Sequence, residues 1–272
     1  MFGHILNLLD ENSPPAHSGR TNTKETHYIR NIRSVKQHGR AEGAPPVVFG
    51  GRIDHNRAFM RFDDAFVREL KQRLSADAPG LPAQMSMAPV PRLGHKAYRE
   101  VEPTSSRAGV LILLYPREGQ AHVVFIRRAP HVLHHRDQIG FPGGQLEGNE
   151  TFEQAALRET REELGVDPEK VRVIGRLTPL YIPVSDFCVY PVVAVAAEKP
   201  DFIPDSVEAS EAIEVPLGHL IDGANIRSEE WTIQGLPVTV PFYALGPHKI
   251  WGATAMILAE LIESVKSLKT LT

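Results

Sequence analysis

The sequence has little that would favour an extracellular, membrane-bound or nucleic-acid-binding protein. A single cysteine, Cys188, among 272 residues excludes an intrachain disulfide and is typical of a reducing compartment. No apolar run approaches the ~20 residues that span a bilayer, and the N-terminus lacks the regions of a signal peptide. The formal net charge is −3, whereas a general nucleic-acid surface would be strongly basic. We therefore expect a soluble, cytoplasmic protein that binds neither nucleic acid nor membrane.

Residues 1–59 differ in composition from the rest of the chain. They contain five of the twelve histidines, two Pro-Pro pairs and eight Lys or Arg against five Asp or Glu. Because no hydrophobic period is sustained, this segment is predicted to be disordered or loosely packed. A more regular pattern begins at Met60 and predicts one domain over residues 60–272. It also raises the hypothesis that translation begins at Met60.

The remainder of the chain alternates between strand-like and helix-like patterns. Apolar residues recur at helical spacing near both ends of the predicted domain, and β-branched runs with turn residues between them predict hairpins. The predicted elements are helices near 62–74, 155–164, 215–221 and 252–268, and strands at 110–115, 122–128, 171–177, 189–196, 231–233 and 238–245. Residues 79–105, rich in proline, methionine and alanine, are predicted to form a linking segment that wraps the core. The pattern favours an α/β (α+β) fold with a mixed sheet between helical layers.

The segment from Gly144 to Val166 carries the strongest pattern in the sequence, GQLEGNETFEQAALRETREELGV. Its helical composition places Glu159, Glu162 and Glu163 on one helix face, within an arc of roughly 100°. Each like-charge pair costs roughly 0.2–0.5 kcal/mol on an isolated helix, so the clustering indicates a bound divalent cation. Oxygen ligands without cysteine favour Mg²⁺ or Mn²⁺ over zinc. The commonplace alternative for an E-x-x-E-E run is a solvated, charged helix face.

This segment resembles the signature of the Nudix hydrolases, G-x5-E-x7-R-E-U-x-E-E-x-G-U, in which U is an aliphatic residue. Thr160 stands where the family usually has a larger aliphatic side chain, which is a mild departure. The positions that match are Gly144, Glu150, Arg158, Glu159, Glu162, Glu163 and Gly165. The resemblance implies a Nudix-type α/β/α sandwich and an enzyme that hydrolyses a phosphoanhydride bond.

Residues upstream of this segment resemble the coenzyme A pyrophosphatase branch of the same family. Arg128 matches the first arginine of that signature, and the run from Phe141 to Gly144, which reads FPGG, matches its end. His135 and Gln138 match residues that are often found between them. The resemblance implies that Arg128, His135, Gln138 and Phe141 contact the substrate.

The resemblance further implies which residues act on the metal ion. Glu159 and Glu163 are expected to be the principal ligands, aided by Glu162 and by the backbone carbonyl of Gly144. Arg158 and these three carboxylates are the expected catalytic residues. Which carboxylate accepts a proton from the attacking water stays open.

Other residues are expected to support the site. Glu150 is expected to pair with Arg158 at the junction of loop and helix, and Gly143 allows a tight turn before the helix. A later loop often contributes one more carboxylate in this family. Two carboxylates in the sequence are candidates for that position, Glu208 and Glu211.

These features together predict Mg²⁺-dependent hydrolysis of the diphosphate bond of coenzyme A or acyl-coenzyme A, which yields 4′-phosphopantetheine and adenosine 3′,5′-bisphosphate. Leu133 and Asp137 stand where the branch signature has arginine and glycine, so another nucleoside diphosphate derivative, ADP-ribose or a dinucleotide, is the alternative substrate. A non-catalytic nucleotide-sensing module is a third hypothesis, but such a module would be expected to have lost carboxylates from the signature. The sequence is compatible with a homodimer and does not determine the oligomeric state.

Overall fold

A computed structural model describes residues 47–48, 60–76, 78–92, 104–129, 138–233 and 235–269. Only the short strand Val47–Val48 is described within the N-terminal 59 residues, so the predicted disorder there stays a prediction. This strand pairs in parallel with a strand of the main sheet, opposite Ile213 and Glu214. Among the described helices, none has both the length and the apolar character needed to cross a membrane.

A large mixed sheet forms the centre of the described fold. Its nine strands run in the order β1-β9-β3-β2-β8-β6, with β4 paired to β3, β5 to β2 and β7 to β8. The pairs β1–β9 and β2–β8 are parallel, and the others are antiparallel. The strands are β1 Val47–Val48, β2 Ser106–Arg117, β3 Gln120–Arg128, β4 Ile139–Gly140, β5 Gly143–Gln145, β6 Val171–Arg176, β7 Leu180–Ile182, β8 Phe187–Ala196 and β9 Ala209–Pro216. The predicted mixed sheet is thus confirmed.

A second, three-stranded antiparallel sheet follows in the chain, in the order β10-β11-β12. It consists of β10 Ile226–Ile233, β11 Leu236–Leu245 and β12 His248–Trp251. The predicted hairpin around Gly235 forms its first two strands. The helices are α1 Asp64–Ala76, α2 Gly80–Met85, α3 Phe152–Leu164, α4 Leu217–Ile221 and α5 Gly252–Lys266, with short 3₁₀ turns at Pro168–Lys170 and Gly223–Asn225.

The central sheet buries both of its faces. Because successive side chains on a strand point to opposite faces, β2 contributes Ile112 and Leu114 to one core and Leu111 and Leu113 to the other. The first core includes α1 and α5, whereas the second includes Ala156 and Leu164 of α3. The acidic helix α3 is therefore packed on one face and the C-terminal helix on the other.

Local signals set both ends of α3. At its start, the Thr151 hydroxyl accepts a hydrogen bond from the Gln154 backbone N–H, and the Thr151 N–H donates to the Gln154 side chain. This capping box explains why the helix begins at Phe152 rather than at the predicted Ala155. At its end, Gly165 has a left-handed conformation with φ 70°, which glycine adopts without the steric cost of a Cβ atom.

The short helix α2 was not predicted from the sequence, which indicated only a linking segment there. Its six residues are too few to show a helical period. A buried carboxylate from the other end of the chain holds this helix in place. Glu260 of α5 accepts hydrogen bonds from the Gly80 N–H at 3.2 Å and from the Gln84 amide at 2.7 Å. The sequence did not reveal this helix because the tertiary contact that holds it lies outside the local sequence.

Candidate active site

Three carboxylates converge where α3 passes the end of β3 and the beginning of β9. Glu159 and Glu163 lie one turn apart on α3, and Glu208 lies immediately before β9. One oxygen atom from each lies within 4.8 Å of the others. The backbone N–H of Ala129 donates to the Glu208 carbonyl at 3.1 Å, which ties this loop to the end of β3. The fold thus adds a third carboxylate to the two that the helix presents.

The two glycines before α3 permit a close approach of backbone to carboxylate. The Gly143 N–H donates to Glu163 Oε2 at 3.0 Å. A Cβ atom at Gly144 would overlap the Glu159 carboxylate. At Gly143 it would lie 2.5 Å from the Gly109 carbonyl oxygen. Glycine is required at both positions because the backbone, the sheet and the two glutamates share this space.

Burial disfavours the charged form of the two helix carboxylates in this cluster. Burial raises the pKa of Glu163 to about 8, and the residue is only 1% exposed. Burial also raises the pKa of Glu159. Arg128 opposes the effect at Glu163 but only from 3.9 Å. A hard divalent cation among these three oxygen donors would supply the missing positive charge, so the residues fit Mg²⁺ or Mn²⁺.

Arg158 fixes one of these carboxylates. Its guanidinium donates to both oxygens of Glu150, at 2.8 and 3.1 Å, and to Glu159 Oε1 at 2.9 Å. It also donates to the Gln145 carbonyl at 3.1 Å. These contacts lower the pKa of Glu150 and connect the loop to the helix. The planar fork of arginine makes this paired geometry possible, whereas lysine would act as a point charge.

We expect Arg158→Lys to lower kcat by about 10- to 100-fold, the range typical of partners that orient metal ligands. The protein should stay folded, because Arg158 is partly exposed. Steady-state kinetics at saturating Mg²⁺ measure the effect. An exposed arginine of the same helix, Arg161→Lys, is the matched control. Equal rates for the two variants would contradict the positioning role.

Several residues named from the sequence lie elsewhere than in the three-carboxylate group. The Glu162 side chain is 44% exposed and approaches Arg158 at 3.7 Å. Glu211 faces the neighbouring strand and pairs with Arg127 at 3.6 Å. Of the two candidates for an added carboxylate, the fold brings Glu208 to the cluster.

The four residues expected to contact the substrate differ in where the structure places them. Arg128 extends to the cluster, as described above. Phe141 is buried, and its ring centroid lies 4.9 Å from that of Phe125 in the core. The backbone carbonyl of Gln138 accepts a hydrogen bond from the Arg128 N–H at 3.0 Å. His135, together with Leu133 and Asp137, lies outside the described residues.

Gly109 in β2 also shapes the site, although the sequence reasoning did not single it out. A Cβ atom there would overlap the carbonyl oxygen of Phe152 in the first turn of α3. Its absence lets the acidic helix lie directly on the strand. A signal was available, since a lone glycine inside a strand pattern often marks a close backbone approach.

Comparison with known proteins shows similarity to Nudix proteins. The NUDIX domain signature matches residues 105–233. The human protein "Mitochondrial coenzyme A diphosphatase NUDT8" is 32% identical over 168 residues, covering 60% of this chain and 70% of that protein. "Nudix hydrolase 3" of Caenorhabditis elegans is 30% identical over 195 residues, covering 65% and 80%. A solved MutT/nudix family protein from Enterococcus faecalis is 21% identical, with a TM-score of 0.42, covering 64% of this chain and 65% of that one.

Proposed function

The chain belongs to the Nudix hydrolase family and is a pyrophosphohydrolase, and from that premise we propose that its substrate is coenzyme A or an acyl derivative. Water adds to one phosphorus and the bond to the bridging oxygen breaks, so each product keeps one phosphate of the diphosphate. The products are 4′-phosphopantetheine and adenosine 3′,5′-bisphosphate. The observation that supports the substrate proposal is the similarity to a human protein whose name states coenzyme A diphosphatase activity.

We propose that Glu159, Glu163 and Glu208 hold the metal ion, with the Gly144 carbonyl and Glu162 at its periphery. When bound, Mg²⁺ or Mn²⁺ neutralises the diphosphate and lowers the pKa of a water molecule. Glu163 is held in one orientation by the Gly143 N–H, and Glu159 by Arg158. These contacts orient the ligands before the substrate arrives.

Arg128 is the residue that we assign to the substrate's phosphate oxygens. Its side chain is 18% exposed, and its guanidinium lies 3.9 Å from Glu163 at the edge of the carboxylate cluster. A cation there can bind a diphosphate oxygen that the carboxylates would otherwise repel. The other arginine of the pair, Arg127, lies against Glu211 on the neighbouring strand, which leaves Arg128 as the better placed of the two.

A substrate panel tests the proposal. Coenzyme A, an acyl-coenzyme A, ADP-ribose and a dinucleotide are each supplied with Mg²⁺, and products are separated by chromatography. We expect the coenzyme A compounds to have the highest kcat/KM, and EDTA to stop turnover of every substrate. If ADP-ribose or the dinucleotide is hydrolysed much faster than coenzyme A, the coenzyme A assignment is wrong and the alternative substrate class takes its place.

A further inference from the structure

An apolar cavity of about 100 Å³ lies between the N-terminal end of α5, strand β7 and the small three-stranded sheet. The mechanism above uses none of its walls. Strand β7 pairs with the first residues of β8, which in turn lie beside the first residues of β2. The cavity is therefore at the end of the central sheet that also carries the loop before α3. Its apolar walls include Leu180, Ile182, Val184, Val238, Ala253 and Met256.

A short stretch of backbone connects this cavity with the carboxylate cluster. A Cβ atom at Gly140 would lie 3.8 Å from the hydroxyl oxygen of Thr254, which follows Ala253 of the cavity wall. At the other end of the stretch, the Gly143 N–H donates to Glu163 and Gly144 lies against Glu159. Gly144 is four positions after Gly140, and a chain of that length spans at most about 14 Å. The two sites are thus within reach of one extended ligand.

We propose that this cavity binds the acyl chain of an acyl-coenzyme A, an inference that rests on the proposed function. In such a substrate the acyl group lies at the far end of a flexible arm that leads away from the diphosphate. With the diphosphate at the carboxylate cluster, the arm has to leave along the protein surface. An aliphatic chain is stabilised where it is removed from water, and this cavity offers apolar walls close to the diphosphate site.

One polar group on the cavity wall suits the thioester end of that arm. Arg92 donates to the Tyr181 carbonyl at 3.1 Å and to the Met85 sulfur at 2.7 Å. These are its partners among the described residues, and a guanidinium has five N–H donors. The carbonyl oxygen of the thioester, or that of the neighbouring amide, can accept a hydrogen bond from the N–H groups of Arg92 that remain. An apolar pocket with few placed polar groups is typical of small-molecule sites.

The size of the cavity predicts a limit on chain length. With the ~30 Å³ of a water molecule as the unit, it holds about three or four methylene-sized groups. Each buried methylene contributes about 0.8 kcal/mol, which corresponds to up to about fourfold in kcat/KM. We expect kcat/KM to rise by up to about 15-fold from acetyl- to butyryl-coenzyme A and then to stay level through hexanoyl and octanoyl.

Variants of the cavity test this assignment with the full-length protein. Ala253→Leu fills the space, and we expect it to remove at least about 80% of the butyryl-to-acetyl preference. Met256→Ala enlarges the space and should move the plateau to longer chains, which keeps the test decisive if the filled variant does not fold. Lys266→Leu, an exposed position of the same helix, is the control and should keep the wild-type profile.

Results that refute the cavity assignment alone can be distinguished from the result that also refutes the proposed function. A flat chain-length profile with efficient hydrolysis of free coenzyme A, or an unaltered profile in Ala253→Leu and Met256→Ala, would refute the cavity assignment alone. Failure of the wild-type protein to hydrolyse any coenzyme A compound while it cleaves ADP-ribose would refute the proposed function as well.

Discussion

Glu163→Gln is expected to lower kcat by at least on the order of 10³-fold while it stabilises the metal-free protein. A metal ion contributes several kcal/mol to the stabilisation of the transition state, and the amide replaces a charged ligand by a neutral one. The fold should persist, because the amide oxygen can still accept the hydrogen bond from Gly143 that Glu163 accepts. Steady-state kinetics in Mg²⁺ and thermal unfolding in EDTA measure the two effects.

The amount by which Glu163→Gln stabilises the metal-free protein should increase as pH rises. Burial raises the pKa of Glu163 to about 8, whereas an unfolded glutamate titrates near its usual value of about 4.3. Between these values the unfolded chain has released the proton that the folded protein keeps, so this group's contribution to stability falls as pH rises. Wild type should therefore lose Tm relative to Glu163→Gln between pH 5 and 8. The same difference in Tm at both pH values would contradict this account of the site.

Gly144→Ala is expected to lower kcat by on the order of 10²-fold or more, a range reached when ligands are misplaced. The added Cβ atom would overlap the carboxylate of Glu159, and that flexible side chain has to turn away from the cluster. Because the obstacle is a side chain rather than backbone, we expect Tm to change little. Kinetics in Mg²⁺ and circular dichroism during heating distinguish the loss of a ligand from a loss of the fold.

Gly223→Ala is the matched control for this substitution. It adds the same methyl group at a glycine whose Cβ position has no atom within 4 Å. We expect wild-type kcat and a wild-type Tm. Equal kcat in Gly144→Ala and Gly223→Ala would show that the approach of the loop to Glu159 has no part in catalysis.

The sequence by itself determined the features that depend on neighbouring residues. The period of the acidic segment predicted α3 and the shared face of Glu159 and Glu163, because residues three and four apart lie together on a helix. The turn residues between apolar runs predicted both hairpins. The matched signature predicted the family, because its residues lie at fixed spacings within one continuous segment of the chain. The tight turn that was expected at Gly143 is instead the beginning of strand β5, which pairs with β2.

Only the tertiary structure decided which distant residues join these elements. Glu208 and Glu211 have the same chemistry and are only three positions apart, so no local pattern distinguishes them. The pairing of β9 with β3 places Glu211 against Arg127 and brings Glu208 to the cluster. In the same way, α2 depends on Glu260 and the apolar cavity on α5, both far along the chain. Such contacts arise from packing between elements, which the order of neighbouring residues does not specify.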